Sequence, residues 1–266
     1  MKDLSFIKTL LKKNINFING FDMGIPLNII QSTFTTLHYG DNIITSKLFA
    51  LQFLIGFYTY SQDRYRDAIE WDRNKFDTNK KDLFEHLLKF KIEYRAAYDI
   101  SLLIIIALIS SETTDLTVTI TSTMLLLLTQ FYSDIKRINP FVKPSFIAIM
   151  WTLCCSILPS VLHDHNYSIL QYPMDYLPIL FTMFACSNNL DIRDIDEDQL
   201  TGVKTIPVEY GKFNSQQLSL IMLIASSLVL GLNDHYLDSP ILNSLWELQN
   251  VGLAYYTFSK KSLDSK

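Results

Sequence analysis

The chain has 266 residues, 48% of them apolar, a formal net charge of −4 and a mean hydropathy of +0.15. Nothing in that balance suggests a nucleic-acid partner. Its three cysteines, Cys154, Cys155 and Cys186, all fall inside apolar runs without the spacing of a disulfide framework or a zinc site, so they read as small core residues.

The N-terminus, MKDLSFIKTLLKKN, lacks the compact apolar core of a cleavable signal peptide, and it has no Arg and little Ser for a transit peptide. Beyond it, apolar segments alternate with dense charged clusters. Eight segments are predicted to be helical and membrane-spanning: about 24–40, 45–62, 97–111, 116–133, 141–162, 174–190, 215–232 and 241–259. A span needs about 20 apolar residues, with about 17–25 tolerated, so several are short. The first carries Asn28, Gln31 and His38, which calls for a protein-facing or wet side. Runs such as SLLIIIALIS and MLLLL show no polar stripe of the kind a soluble bundle needs.

Lysine and arginine give a second signal. The termini and the linkers 63–96, 134–140 and 191–214 form one side of this arrangement. That side, with Lys143 just inside its helix, holds all of the 23 Lys and Arg residues except Lys47. The linkers near 112–115, 163–173 and 233–240 hold acids and histidines but no Lys or Arg. Such asymmetry places the basic side, and both termini, in the cytoplasm, stroma or matrix. The whole chain, 1–266, reads as one all-α, polytopic, membrane-embedded domain around a central cavity that opens to that side.

Two acidic clusters close the second and sixth segments. In YTYSQDRYRDAIEWD, Asp63 and Asp67 are four apart, one helical turn on one face. In NNLDIRDIDED, Asp191, Asp194 and Asp198 are three and four apart, while Asp196 and Glu197 point elsewhere. Packed carboxylates repel one another and favour protonation. A shared Mg²⁺ relieves that strain, takes oxygen ligands and commonly bridges to substrate phosphates. Either cluster alone reads as a solvated helix end; two matched clusters on one side point to a Mg²⁺–diphosphate site. A third element, YSDIKRINPFVKP, puts Lys136 and Arg137 on the same side, as positive-inside anchors or as contacts to diphosphate oxygens.

Together these three elements resemble the UbiA-type intramembrane prenyltransferase superfamily. The family's second motif commonly reads N-D-x-R-D-x-x-x-D-x-x-x-G-x-x-T-x-P-V-x-x-G. This chain matches it at Asp191, Arg193, Asp194, Asp198, Gly202, Thr205, Pro207, Val208 and Gly211. Leu190 replaces the usual Asn, with Asn188 and Asn189 beside it. In the first motif, Asp63, Arg64 and Asp67 match, whereas Thr59 and Tyr60 stand where Asn and Asp are usual. The Tyr132–Arg137 element is similar to the family's loop after helix four. The family usually has nine membrane helices against the eight found here, so the last is expected to be missing or severely shortened.

The resemblance implies a Mg²⁺-dependent transfer of an isoprenoid chain from its allylic diphosphate to a small acceptor. A quinone precursor, a chlorophyllide-like ring or a glycerol lipid would suit the Asp-x-Arg-Asp form of the second motif. It implies Asp63, Asp67, Asp191, Asp194 and Asp198 as metal ligands. Lys136, Arg137, Arg193, Arg64, Tyr132 and Asn189 become substrate contacts, and the amphipathic stretch 73–95 becomes a candidate cap. Two other readings remain open: a membrane terpene cyclase of the same superfamily, and a non-catalytic protein that binds isoprenoid lipid. His163 and His165, on the opposite side, lack a further metal ligand, and Asn166-Tyr167-Ser168 is a glycosylation sequon. Tyr58, Tyr60, Tyr132, Tyr172 and Tyr176 fall near predicted membrane edges, as interfacial belts do.

Overall fold

The computed structural model describes residues 46–74, 81–112, 135–158 and 173–232, with 123–124, 127–128, 131–132, 248, 250–252 and 254–255. The segment expected at 24–40, most of those at 116–133 and 241–259, Tyr172, the two histidines and the sequon lie outside these residues. The described residues form helices and turns, with no strand among them. The chain divides into two compact units, broadly before and after residue 115.

In the first unit, α1 runs Ser46–Asn74, α2 Lys81–Lys89 and α3 Lys91–Glu112. The segment expected to end at residue 62 continues as helix for three more turns, so Asp63 and Asp67 do lie one turn apart on α1. Most of the expected linker 63–96 is thus helical. Leu51, Ile55, Tyr58, Ala68 and Trp71 are buried along α1. On α3, Tyr94, Tyr98, Ser101 and Ile105 form a buried stripe at helical spacing. The Tyr98 hydroxyl donates to the Ser61 carbonyl at 3.0 Å, and its ring meets Tyr65 edge-on at 6.2 Å. The amphipathic stretch is short helix α2: Phe84 and Leu87 turn inward, with Phe84 against Trp71 at 6.0 Å, while Lys81, Asp82, Glu85 and Lys89 face out.

In the second unit, α4 runs Val142–Thr152 and passes into a π-helical turn, Leu153–Ile157. Then come α5 (Pro173–Arg193), α6 (Ile195–Thr201), α7 (Ile206–Tyr210) and α8 (Lys212–Gly231). Cys154 and Cys155 are buried, consistent with small core residues, while Cys186 is half-buried. By length and composition, α8 is the one described helix able to cross a membrane; Val142–Ile157 is apolar but shorter.

The polarity of α8 is inverted relative to a soluble helix. Its buried face carries Ser215, Gln216, Ser219 and Ser226 with Leu223 and Leu230. Its outer face carries Ile221 and Leu228, 58% and 63% exposed, and Ile224. The outer face of α3 repeats this with Ile100, Leu103 and Ile106. The α5–α8 seam is hydrogen-bonded throughout. Asn188 Nδ2 donates to the Ser215 carbonyl and to Ser219 Oγ, both at 2.8 Å, and Ser215 Oγ donates to Asn188 Oδ1 at 2.8 Å. Further along, Ser226 Oγ donates to the Pro178 carbonyl at 3.0 Å, and Thr182 Oγ1 lies 2.9 Å from Ser226 Oγ. Small and hydroxylic side chains at such a seam let helices approach closely and satisfy one another where water is absent.

The glycines of the long motif have backbone explanations. Gly202 ends α6 with a positive φ of 68°. Val203 N–H returns to the Asp198 carbonyl at 2.9 Å and Gly202 N–H to Gln199 at 3.3 Å, which is a Schellman stop. Pro207 lies in the first turn of α7, where its missing N–H costs nothing. Gly211, at φ 83° and ψ 158°, sits in a region open essentially to glycine alone and launches α8.

Thermal unfolding tests the seam and the two glycines. Asn188→Ala leaves Ser215 and Ser219 without their partner and lowers stability by ~1–2 kcal/mol; an unchanged midpoint would show that the seam does not depend on it. Gly211→Ala destabilises more than Gly202→Ala, because the left-handed region of Gly202 costs an L-residue only about 1–2 kcal/mol. The reverse order would refute the conformational argument.

Candidate functional site

The second unit gathers charge where α5 ends. The helix runs from the apolar stretch LPILFTMFA into SNNLDIR and stops at Asp194, which stands between α5 and α6 at φ −100° and ψ 15°. Asp194 N–H bonds the Asp191 carbonyl at 3.1 Å, and Asp198 N–H bonds the Asp194 carbonyl at 2.8 Å. The three acids therefore stay within one continuous bend of the chain rather than on an unbroken helix.

Their side chains divide. Asp191 and Asp198 are buried, and both meet Lys143. The Lys143 Nζ lies 2.8 Å from Asp191 Oδ1 and 3.3 Å from Asp198 Oδ2. Asp194 turns toward its neighbour: Arg193 Nε donates to Oδ1 at 2.9 Å and Nη2 to Oδ2 at 3.2 Å, in an exposed fork. Asp194 remains near enough to Asp191 and Asp198 to repel both electrostatically.

Lys143 is delivered by the turn before α4. Asn139 Oδ1 accepts from Phe141 N–H at 2.9 Å, and Val142 N–H bonds the Asn139 carbonyl at 3.0 Å across Pro140. This Asx-Pro turn starts the helix and puts Lys143 at its second position. A cation there opposes the helix dipole, and the first turn of α4 contains no acid of its own. The compensating charge comes from Asp191 and Asp198, about 50 residues further along the sequence.

Lys136 is buried beside this group. Its Nζ lies 5.6 Å from the centre of the Tyr132 ring, which stacks on Phe146 at 4.9 Å. It is close enough to Asp198 to favour that residue's ionised form. Arg137 is half-buried in the same turn.

Of the residues expected from sequence, the structure thus assembles Asp191, Asp194, Asp198, Arg193, Lys136 and Tyr132 in one unit. Asn189 is buried nearby on α5. Asp63, Arg64 and Asp67 lie half-buried on α1, in the other unit. Lys143 is the addition. By sequence it is one basic-side residue among many. Its signal was a lysine in the first turn of an otherwise apolar helix. Leu190 is 43% exposed, whereas Asn188, two residues before it, is committed to α8. Thr59, where the family pattern has Asn, returns its hydroxyl to the Ile55 carbonyl at 2.7 Å.

Two observations bear on a divalent ion. Asp191 Oδ2 is buried with no hydrogen-bond partner among the described residues, so a hard oxygen ligand remains unserved. The cluster's oxygen-only carboxylate chemistry fits Mg²⁺. Among the described residues, no three His, Cys, Asp or Glu side chains converge closely enough to enclose an ion; Lys143 bonds two of the acids and Arg193 the third.

Comparison with protein-family models, with curated proteins and with solved structures finds no match to the chain.

Burial pushes the Asp191 carboxyl up to about 6, and the nearby Lys143 ammonium only partly offsets this. Asp198 moves the same way for the same reason. A carboxyl raised on folding contributes stability that is full below about pH 4 and lost as pH rises through about 6. Without divalent ions, the wild type is therefore expected to gain ~1 kcal/mol relative to Asp191→Asn between pH 7 and pH 5. Parallel stability curves for the two proteins over that range would contradict the burial of a charged Asp191.

Proposed function

We propose that the chain is an integral membrane prenyltransferase. It moves an isoprenoid chain from an allylic diphosphate to a small acceptor, with Mg²⁺ assisting ionisation. The supporting observation is the grouping of Asp191, Asp198, Lys143 and Lys136 at the polar end of α5, directly after an apolar helix run. The apolar outer faces of α3 and of α8, and the hydroxyl- and amide-lined buried face of α8, support a bilayer setting. On this reading the chain is multi-pass, with the acidic motifs and termini on the cytoplasmic, stromal or matrix side.

Asp191, Asp194 and Asp198 would hold Mg²⁺, which when bound would supply Lewis-acid neutralisation of the diphosphate. The resemblance assigns Asp63 and Asp67 the same task, and assigns substrate contacts to Arg64 and Asn189. Lys136, Arg137 and Arg193 donate charged hydrogen bonds to the leaving pyrophosphate as the C–O bond breaks. Tyr132, stacked on Phe146, holds Lys136 in place. The isoprenoid tail lies among apolar side chains that exclude water, which would otherwise quench the allylic cation before the acceptor attacks.

The test is incubation of purified protein with Mg²⁺ and allylic diphosphates of several lengths, with and without candidate acceptors. Acceptor-dependent prenylated product is expected, and Asp194→Ala is expected to abolish it. A cyclic hydrocarbon formed without acceptor would replace the transferase with a terpene cyclase. Saturable lipid binding without turnover of any donor would remove the enzymatic reading. Near-normal activity of Asp194→Ala would remove the metal site.

A further inference from the structure

We propose that Lys143 is the resident counter-cation of the second acidic cluster, and that it yields the carboxylates when a divalent ion binds. It thereby sets the cluster's affinity for that ion. The inference rests on the metal-dependent reading above, which it extends to a residue that reading leaves without a role. Three observations carry it.

First, the Lys143 ammonium lies 2.8 Å from Asp191 and 3.3 Å from Asp198, so it holds the two acids that an ion would need. Two buried carboxylates cannot stay ionised together without a cation, and among the described residues Lys143 is the group that bonds both. Second, the position is set by rigid structure but the charge is not. The Asn139–Pro140 turn fixes the α4 backbone, while lysine carries a point charge on a flexible four-carbon stem. The ammonium can leave without moving the helix. Third, the match is incomplete. Asp191 Oδ2 stays buried without a hydrogen-bond partner among the described residues. One ammonium does not saturate the carboxylates, and a divalent ion with its waters has an oxygen left to take.

Lys143 is thus a positioning residue. It keeps Asp191 and Asp198 together before the ion arrives. Once displaced, its charge remains beside the cluster, next to Lys136, where an anionic diphosphate gains from both lysines.

The test uses the full chain in detergent with Mn²⁺ as probe, free ion being read by electron paramagnetic resonance. Lys143→Gln should bind Mn²⁺ about tenfold or more tightly than wild type, because the competitor is gone. Lys143→Arg should bind no more tightly than wild type, because a guanidinium also pairs the carboxylates. On the unmutated protein, Mn²⁺ should raise acetimidate labelling of Lys143, measured by mass spectrometry; this arm needs no variant to fold. Equal or weaker Mn²⁺ binding by Lys143→Gln, or labelling of Lys143 unchanged by Mn²⁺ that is bound, would overturn the proposal while leaving the metal site standing. Absence of Mn²⁺ binding by wild type and both variants would overturn the metal-dependent reading and this proposal with it.

Discussion

A buried carboxylate needs a cation, and the second unit has two that share one. Lys143 reaches from the first turn of α4 to Asp191 at the end of α5 and to Asp198 on α6. That contact ties α4 to two consecutive elements, α5 and α6, that follow it later in the chain. Removing either charge from a buried pair costs several kcal/mol, whereas the intact pair adds little over an apolar substitute. Stability alone therefore gives weak grounds for keeping three acids and two lysines at the end of an apolar helix. A diphosphate site gives stronger grounds: it needs acids to hold a divalent ion, bases to meet the phosphates, and an apolar interior for the tail.

The rest of the second unit supports this grouping by inverting the usual distribution of polarity. Serine, threonine and asparagine fill the α5–α8 seam, and isoleucine and leucine face outward. In water such an arrangement would sacrifice the hydrophobic driving force on the outer face. In a bilayer it satisfies the polar groups internally and leaves the apolar face against lipid. The same seam fixes α5 against α8 through Asn188, one turn before Asp191. The acids are thereby anchored to a hydrogen-bonded frame on one side and to Lys143 on the other.

Much of the helical organisation was legible because it depends on local pattern. The apolar runs at 97–111 and 174–190, and nearly all of those at 45–62 and 215–232, fall within helices. The single face expected of Asp191, Asp194 and Asp198 does not form: the helix breaks at Asp194, which pairs with Arg193, while the other two acids meet Lys143. The ends were less legible. Charged residues at 63–74 and 191–193 read as linkers, yet backbone hydrogen bonding carries α1 and α5 straight through them. Side-chain charge alone does not mark where a helix stops. Gly202, Pro207 and Gly211 could be located by motif, but their reasons (a Schellman stop, a first-turn proline and a positive φ with extended ψ that only glycine readily adopts) emerge only from the folded backbone. The partner of Asp191 and Asp198 was beyond sequence reasoning altogether. Lys143 precedes them by about 50 residues, and no periodicity links a lysine on one helix to carboxylates on another.

The central claim is that this cluster helps break the C–O bond of an allylic diphosphate. Positional isotope exchange tests that step without knowledge of the acceptor. A donor labelled with oxygen-18 at the bridging position should, with Mg²⁺ and no acceptor, scramble label into non-bridging positions as the ion pair forms and recombines. Asp194→Ala should abolish the exchange. A wild-type protein that binds the labelled donor, yet neither scrambles it nor releases pyrophosphate, would contradict the account.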